Sequence, residues 1–297
     1  MTTLVELEAV LTVARLRSFR AAAAALGIST SAVSHTIAGL EGRLGARLFN
    51  RTTRSVAVTD VGAEFVANIS PALLEIRHAM ETAGSSGASP SGSLRINTSA
   101  AAALRCMPLL MNFSEQFPAV HLDIVTEGKF IDIVADGYDA GIRLAESIPQ
   151  DMISVQIEPA LRYIVVGAPT LVEQIGAPAE PAELLSKPCI RMRLPSGTLY
   201  RWEFVHQGEP LEIDVRGTLT LDNPALIREA ARRGLGFAYL AEWHIADDLE
   251  SGRLVQVLDH TALTVEGLCL YYSGRRHVPP SLRALIEMAR ERFRCRQ

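Results

Sequence analysis

Leu4, Leu7, Leu11 and Ala14 recur at i, i+3, i+7 and i+10, which predicts a first amphipathic helix with one apolar face. Ser18 is placed to cap a second helix with the body Phe19 to Leu26, which Gly27 ends. After the short turn Ile28-Ser29 a third helix starts at Ser29 or Thr30, with Val33, Ile37, Leu40 and Leu44 at i, i+4, i+7 and i+11. Two short helices joined by a tight glycine-containing turn are the helix-turn-helix signature. The second helix of such a pair lies in the major groove, its N-terminal residues against base edges. The buried stripe leaves Thr30, Ser31, Ser34, His35 and Ala38 facing outward. Small hydroxyls at a helix start let backbone approach a duplex and can bond phosphates or bases; Ser29, Thr30 and Ser31 fit a plain N-cap cluster equally well.

Residues 47–59 read as a two-strand wing with cations at its tip. Arg51 and Arg54, with Thr52 and Thr53 between them, are expected to touch phosphates or the minor groove and to make affinity salt-dependent. Arg20 on the second helix joins these DNA-contact candidates. Beyond the wing, Phe65, Ile69, Ala72 and Ile76 follow i, i+4, i+7 and i+11, with Leu73 and Met80 beside them. A stripe on a solvent-spanning helix calls for a partner helix. Phe65, Ile69, Leu73, Ile76 and Met80 are therefore the expected dimerisation residues, the alternative being packing on the chain's own winged module. Pro71 predicts a kink or break near residues 67–71, because an internal proline removes a backbone bond at a cost of about 3 kcal/mol.

The stretch Gly84-Ser85-Ser86-Gly87-Ala88-Ser89-Pro90-Ser91-Gly92 is a flexible linker that cannot build a core. After it the pattern alternates between strand and helix, which favours α/β layers. Strands are predicted over 94–97, 120–125 and 138–142, ending at Thr98-Ser99, at Thr126-Glu127-Gly128 and at Arg143. Ligands of open α/β sheets bind outside the carboxyl ends of strands, so the three endings point at one crevice. The apolar run 161–167 reads as a crossing into a second lobe and 265–272 as the return. Two crossings imply a cleft and hinge motion. In the second lobe, Asp222 or Asn223 caps a helix ending near Gly234. Arg143 suits an effector carboxylate, or else an internal pair with Glu127 or Asp139. Trp202 reads as core.

Charge sharpens this division. The 297 residues carry a net −4, which argues against nucleic acid until the charges are placed. Residues 1–58 hold seven arginines against three glutamates, whereas residues 59–84 hold one arginine against four acids. A basic head therefore sits on an acidic body. The four cysteines form no CxxC pair and the seven histidines are scattered, so no metal site, disulfide framework or cofactor is expected. The N-terminus has no signal peptide and no run reaches the ~18 apolar residues of a membrane span, so a cytoplasmic protein is expected. No G-x-S-x-G, P-loop, G-x-G-x-x-G or H-E-x-x-H motif is present, which argues against an enzyme.

The motifs Ser18-Phe19-x-x-Ala22-Ala23-x-x-Leu26-Gly27-Ile28-Ser29, Ser31-Ala32-Val33-Ser34, Leu40-Glu41-x-x-Leu44-Gly45-x-x-Leu48-Phe49-x-Arg51-Thr52-Thr53-Arg54 and Thr59-x-x-Gly62 resemble those of LysR-type transcriptional regulators. The runs 139–143 and 234–240 extend the resemblance into the second domain. It implies an N-terminal all-α, winged helix-turn-helix plus an α/β two-lobed effector domain like a periplasmic binding protein. The implied boundaries are 1–59 for the DNA-binding domain, 60–83 for the linker helix, 84–92 for the hinge and 93–297 for the effector domain. Lobe I would take 93–161 and 268–297, and lobe II 162–267. The strand endings place Thr98, Ser99, Glu127, Gly128 and Arg143 at the effector cleft, and by resemblance Ser196, Tyr200, Asp222 and Asn223 line it from lobe II. Thr30 stands where the family commonly has Gln and His35 where it commonly has Arg, so base contacts are not carried over directly at these two positions. The implied partners are a double-stranded DNA operator, a small-molecule effector with a carboxylate, RNA polymerase if the protein activates, and a second copy in a homodimer or homotetramer. The alternative of the same architecture is a constitutive repressor, or a regulator controlled by a protein partner.

Overall fold

A computed structural model describes residues 2–51, 56–84, 89–127, 131–274 and 278–294. Local caps set the first elements. Glu6 Oε2 accepts from the Thr3 N–H at 2.9 Å at the start of α1 (Leu4–Leu16). Ser18 Oγ accepts from Ala21 N–H at 3.2 Å and Gly27, at φ +67°, closes α2 (Phe19–Leu26). Ser29 Oγ accepts from Ala32 N–H at 3.1 Å to open α3 (Thr30–Leu44). The axes of α2 and α3 meet at 105°, within the helix-turn-helix range. Val33, Ile37 and Leu40 are buried as their spacing predicts. The face of α1 is corrected: Ala9, Val10 and Val13 are buried, while Leu4 is 44% exposed and Leu11 half-buried. The compact Ala9, Val10 and Val13 side chains line the core where α2 and α3 pack, and the longer leucines fall on its fringe.

The wing is the antiparallel pair β1 (Phe49–Arg51) and β2 (Val56–Val58). It is sewn to the helix that follows, α4 (Asp60–Gly84). Thr59 Oγ1 donates to Arg47 O at 2.7 Å and accepts from Gly62 N–H at 2.9 Å. Gly62 lies so close to the wing that a Cβ would stand 2.1 Å from Leu48 O. Helix α4 continues through Pro71, so of the kink or break expected there the structure has no break. The lost backbone bond is confined to one turn, and Ser70, Leu73 and Leu74 on either side of the proline are buried. The dimerisation stripe is also revised: Phe65 and Ile69 pack on the core of the chain's own winged module. Leu73 is buried within the chain, leaving Ile76 and Met80 exposed at 42% and 68%.

Lobe I is built from β3 (Gly92–Thr98), α5 (Ala100–Gln116), β4 (Val120–Val125), β5 (Ala140–Leu144) and β6 (Met152–Gln156). The chain then crosses to lobe II: β7 (Leu161–Gly167), α6 (Pro169–Ile175), β8 (Ile190–Met192), β9 (Trp202–His206), β10 (Glu209–Ile213), β11 (Leu219–Leu221), α7 (Pro224–Arg232), β12 (Ala238–Ala241), α8 (Ala246–Glu250), β13 (Val255–Val257) and β14 (Leu263–Val265). It returns for β15 (Leu268–Ser273) and α9 (Pro280–Arg294). The lobe I sheet has the order β4-β3-β5-β15-β6, with β3 parallel to β4 and β5 and β15 antiparallel to β5 and β6. In lobe II, β7 pairs with β12, β13 and β14. The third strand lies two residues later than its pattern suggests, because Tyr138 packs with Ile133 and Tyr271 instead of joining the ladder. Trp202 is core, as expected.

The two crossings touch. A Cβ on Gly267 would lie 2.0 Å from Pro159 O and 2.1 Å from Glu158 O, so only glycine fits. Glu158 is buried and its carboxylate pairs with Arg105 of α5 at 2.8 Å and Arg292 of α9 at 4.0 Å. Lobe II has a second buried acid, Asp248, which takes Arg228 at 2.5 Å, Arg232 at 2.6 Å and Arg253 at 2.8 Å. Among the described residues, no single helix is long and apolar enough to cross a membrane.

Two stability predictions result. Gly62→Ala should lower the unfolding temperature of the N-terminal module, since overpacking costs about 1–3 kcal/mol; an unchanged thermal melt would mean that the wing yields to the methyl group. For Asp248, burial alone would raise the carboxyl pKa, but hydrogen bonds from Arg232, Arg228 and Arg253 outweigh it and hold the group well below the usual range. Its stabilising effect is therefore full above about pH 4 and fades as pH falls toward the depressed folded-state value. Asp248→Ala should cost about 3 kcal/mol at neutral pH, because it removes the buried carboxylate that Arg228, Arg232 and Arg253 share. The loss should shrink in denaturant melts run at progressively lower pH; a pH-independent loss would refute the assignment.

Candidate functional site

Two sites stand at opposite ends of the chain. At the head, α3 presents Thr30, Ser31 and His35 exposed and Ser34 half-buried, and α2 presents Arg20 exposed. Ser29 is exposed too, but its hydroxyl caps α3 and lies 2.9 Å from Ser31 Oγ. Arg51, its side chain still 37% exposed, also has partners within the protein. Its guanidinium stacks 4.3 Å from the Phe19 ring centroid and pairs with Glu41 at 3.4 Å. Glu41 in turn accepts from the Leu48 and Phe49 N–H groups at 2.8 and 3.1 Å. Arg51 therefore braces the wing against α2 and α3, and its charge is balanced within the protein. Thr52, Thr53 and Arg54 lie outside the described residues.

The second site is a cleft of about 650 Å³ between the lobes. Of the expected residues, Ser99, Arg143, Asp222 and Asn223 line it. Ser99 is also the N-cap of α5, accepting from Ala102 N–H at 3.2 Å, and the first turn of that helix forms part of the wall. Arg143 is 7% exposed on β5. It donates to Ile142 O at 2.8 Å, Asn97 Oδ1 at 2.5 Å and Glu127 O at 3.2 Å. Burial lowers its pKa from a very high ordinary value, so the guanidinium stays charged. Asn223 Oδ1 caps α7 through Ala225 N–H at 2.8 Å.

Four expected lining residues are not in the cleft wall. Thr98 is fully buried and donates to Ile142 O at 3.3 Å, tying β3 to β5. Glu127 is exposed and gives Arg143 its carbonyl, not its carboxylate. Ser196 bonds Thr198 Oγ1 at 2.8 Å within its turn, and the neighbouring Pro195 and Gly197 face the cleft instead. Tyr200 packs 6.1 Å from Tyr239 on the lobe II core. Gly128 lies outside the described residues. The aromatic wall, which sequence reasoning missed, comes from Tyr163, Tyr239, Trp243 and His244. Trp243 and His244 follow the carboxyl end of β12, the position at which strand-end reasoning would have found them.

A family model described as the bacterial regulatory helix-turn-helix protein, lysR family, matches residues 4–63, and one described as the LysR substrate binding domain matches residues 87–294. This chain belongs to the LysR family of transcriptional regulators. It is a DNA-binding regulator with an effector-binding domain. It is 38% identical to the uncharacterised HTH-type transcriptional regulator YcaN of Escherichia coli, over 93% of this chain and 90% of YcaN. It is 33% identical to the regulator PgrR of Escherichia coli, over 95% of each chain. Among solved structures, CrgA of Neisseria meningitidis is 25% identical with a TM-score of 0.60, covering 98% of this chain and 99% of that one. The full-length Vibrio cholerae virulence activator AphB has the same fold, at 23% identity and a TM-score of 0.67, covering 97% of this chain and 99% of AphB.

The Arg51 contacts give a prediction for the LysR-family head. Arg51→Ala should weaken DNA binding by loosening the wing while leaving the salt dependence of affinity unchanged. A salt slope lower by about 1, measured by fluorescence anisotropy across a salt series, would instead make Arg51 a phosphate contact.

Proposed function

We propose that this LysR-type regulator binds a dyad-symmetric operator as a homodimer or homotetramer and answers to a small anionic effector held between its lobes. Recognition rests on the start of α3: Thr30, Ser31, Ser34 and His35 meet the major groove, while Arg20, Thr52, Thr53 and Arg54 meet the backbone or minor groove. Protomers pair through α4, whose uncovered Ile76 and Met80 supply the apolar contact. The effector carboxylate lies on Arg143, beside Ser99 and the N-terminus of α5, where positive charge and the helix dipole favour an anion. Asp222 and Asn223 close the opposite wall. The protein acts in the cytoplasm, and RNA polymerase is a further partner at promoters that it activates.

The observation that carries this reading is a roomy cleft with a buried cation in its wall. Effector binding favours the closed arrangement of the lobes only as far as it binds that state more tightly.

Gel retardation tests operator binding: the protein should retard DNA from upstream of its own gene at physiological salt far better than unrelated DNA. Equal retardation would remove sequence-specific recognition. Ala101→Trp fills the cleft from the first turn of α5 without touching the Ser99 cap. In a reporter strain it should abolish the effector response while operator binding persists; a normal response would move the effector site elsewhere.

A further inference from the structure

The apolar side of the cleft is aromatic and includes an imidazole with one nitrogen lacking a hydrogen-bond partner. Tyr163 of β7 and Tyr239 of β12 line it with ring centroids 5.5 Å apart and planes inclined by 27°. Trp202 stacks behind Tyr239 at 5.6 Å, and the Tyr239 hydroxyl is used within lobe II, donating to Glu203 O at 2.6 Å. Trp243 and His244 line the same cleft, their ring centroids 3.8 Å apart. Trp243 is braced from lobe I: the Arg105 guanidinium lies 5.5 Å from the indole centroid and is itself held by buried Glu158 at 2.8 Å.

His244 Nε2 is buried and has no hydrogen-bond partner. Burial first, and then the charge of Arg228, push the imidazole pKa down to about 4, so the ring is neutral at physiological pH. A neutral imidazole carries one donor and one acceptor nitrogen, and a buried polar atom without a partner is a standing cost that a ligand group can remove. Arg143 stands in the lobe I wall of the same cavity.

We propose that the effector is an aromatic carboxylate bearing a polar ring substituent. Its carboxylate lies on Arg143, its ring packs against the Tyr163–Tyr239 wall and Trp243, and the substituent bonds His244 Nε2. Offset ring packing selects a planar ligand over an aliphatic acid of equal charge. His244 selects among aromatic acids, because a site built to hydrogen-bond a substituent rejects the analogue that lacks it. This assignment rests on Arg143 as the anion end of the cleft.

Isothermal titration calorimetry on the full-length protein tests it with benzoate, 2-, 3- and 4-hydroxybenzoate, hexanoate and benzyl alcohol. Benzoate should bind on the order of tenfold tighter than hexanoate, and at least one hydroxybenzoate isomer on the order of tenfold tighter again. His244→Phe should close the gap between that isomer and benzoate. His244→Gln, which keeps a hydrogen-bonding group, should preserve part of the gap and covers the case in which the phenylalanine variant fails to fold. Equal binding of hexanoate and benzoate would overturn the aromatic assignment and leave the anion reading standing. Benzyl alcohol binding as tightly as benzoate would overturn both, as would silence from every acid. A hydroxybenzoate preference that survives in both His244 variants, or no preference among the aromatic acids, would overturn the role of His244.

Discussion

The effector domain depends on one close approach. Where the chain returns from lobe II, Gly267 lies against the carbonyls of Glu158 and Pro159 on the outgoing crossing, with no room for a Cβ. Glu158, at the same point, is buried between Arg105 of α5 and Arg292 of α9. The hinge is thus a pair of touching backbones pinned to both lobe I helices by one carboxylate. Such a joint holds the two crossings in fixed register. Arg105 also faces the Trp243 ring, so the residue that pins the hinge touches the cleft wall as well. Hinge angle and cleft shape therefore share a side chain.

At the other end of the molecule a second carboxylate plays the corresponding part. Glu41 accepts from the Leu48 and Phe49 amides where the wing begins and pairs with Arg51, which covers Phe19. Thr59 and Gly62 then lock the wing to α4. Recognition helix, wing and linker helix form one unit, so a change in the direction of α4 moves the DNA-contacting surface as a body.

Legibility in the sequence followed the range of the forces involved. Helix α2 was readable to the residue because Ser18 and Gly27 act on their immediate neighbours. The lobe crossings were readable because apolar runs bounded by turns need no partner to be recognised. The buried face of α1 was not: periodicity counts Leu4 and Leu11 like any other apolar residue, whereas packing selected the smaller Ala9, Val10 and Val13. Arg51 showed its charge in the sequence but not its partner, ten residues away at Glu41. In the cleft, the strand-end rule found Ser99 and Arg143. Trp243 and His244 follow β12, a strand of four residues whose short apolar run hides its carboxyl end in the sequence. Tyr163 and Tyr239 sit in strands buried on both faces, where alternation carries no information. Pro71 announced a kink or break, and one missing hydrogen bond did not end the helix.

The return of the chain to lobe I has a consequence for biosynthesis. Strand β15 is made only after the whole of lobe II, yet it lies inside the lobe I sheet, between β5 and β6. Until it emerges from the ribosome, β5 and β6 each keep an open edge, and helix α9 is missing from the core. Lobe II, contiguous in sequence, has no such wait. The nascent chain thus passes through a state in which lobe II can close while lobe I stands unfinished with exposed strand edges, the kind of species that aggregates or needs a chaperone. A frameshift or stop codon before residue 268 removes more than a tail: it takes the strand that joins β6 to the rest of the sheet.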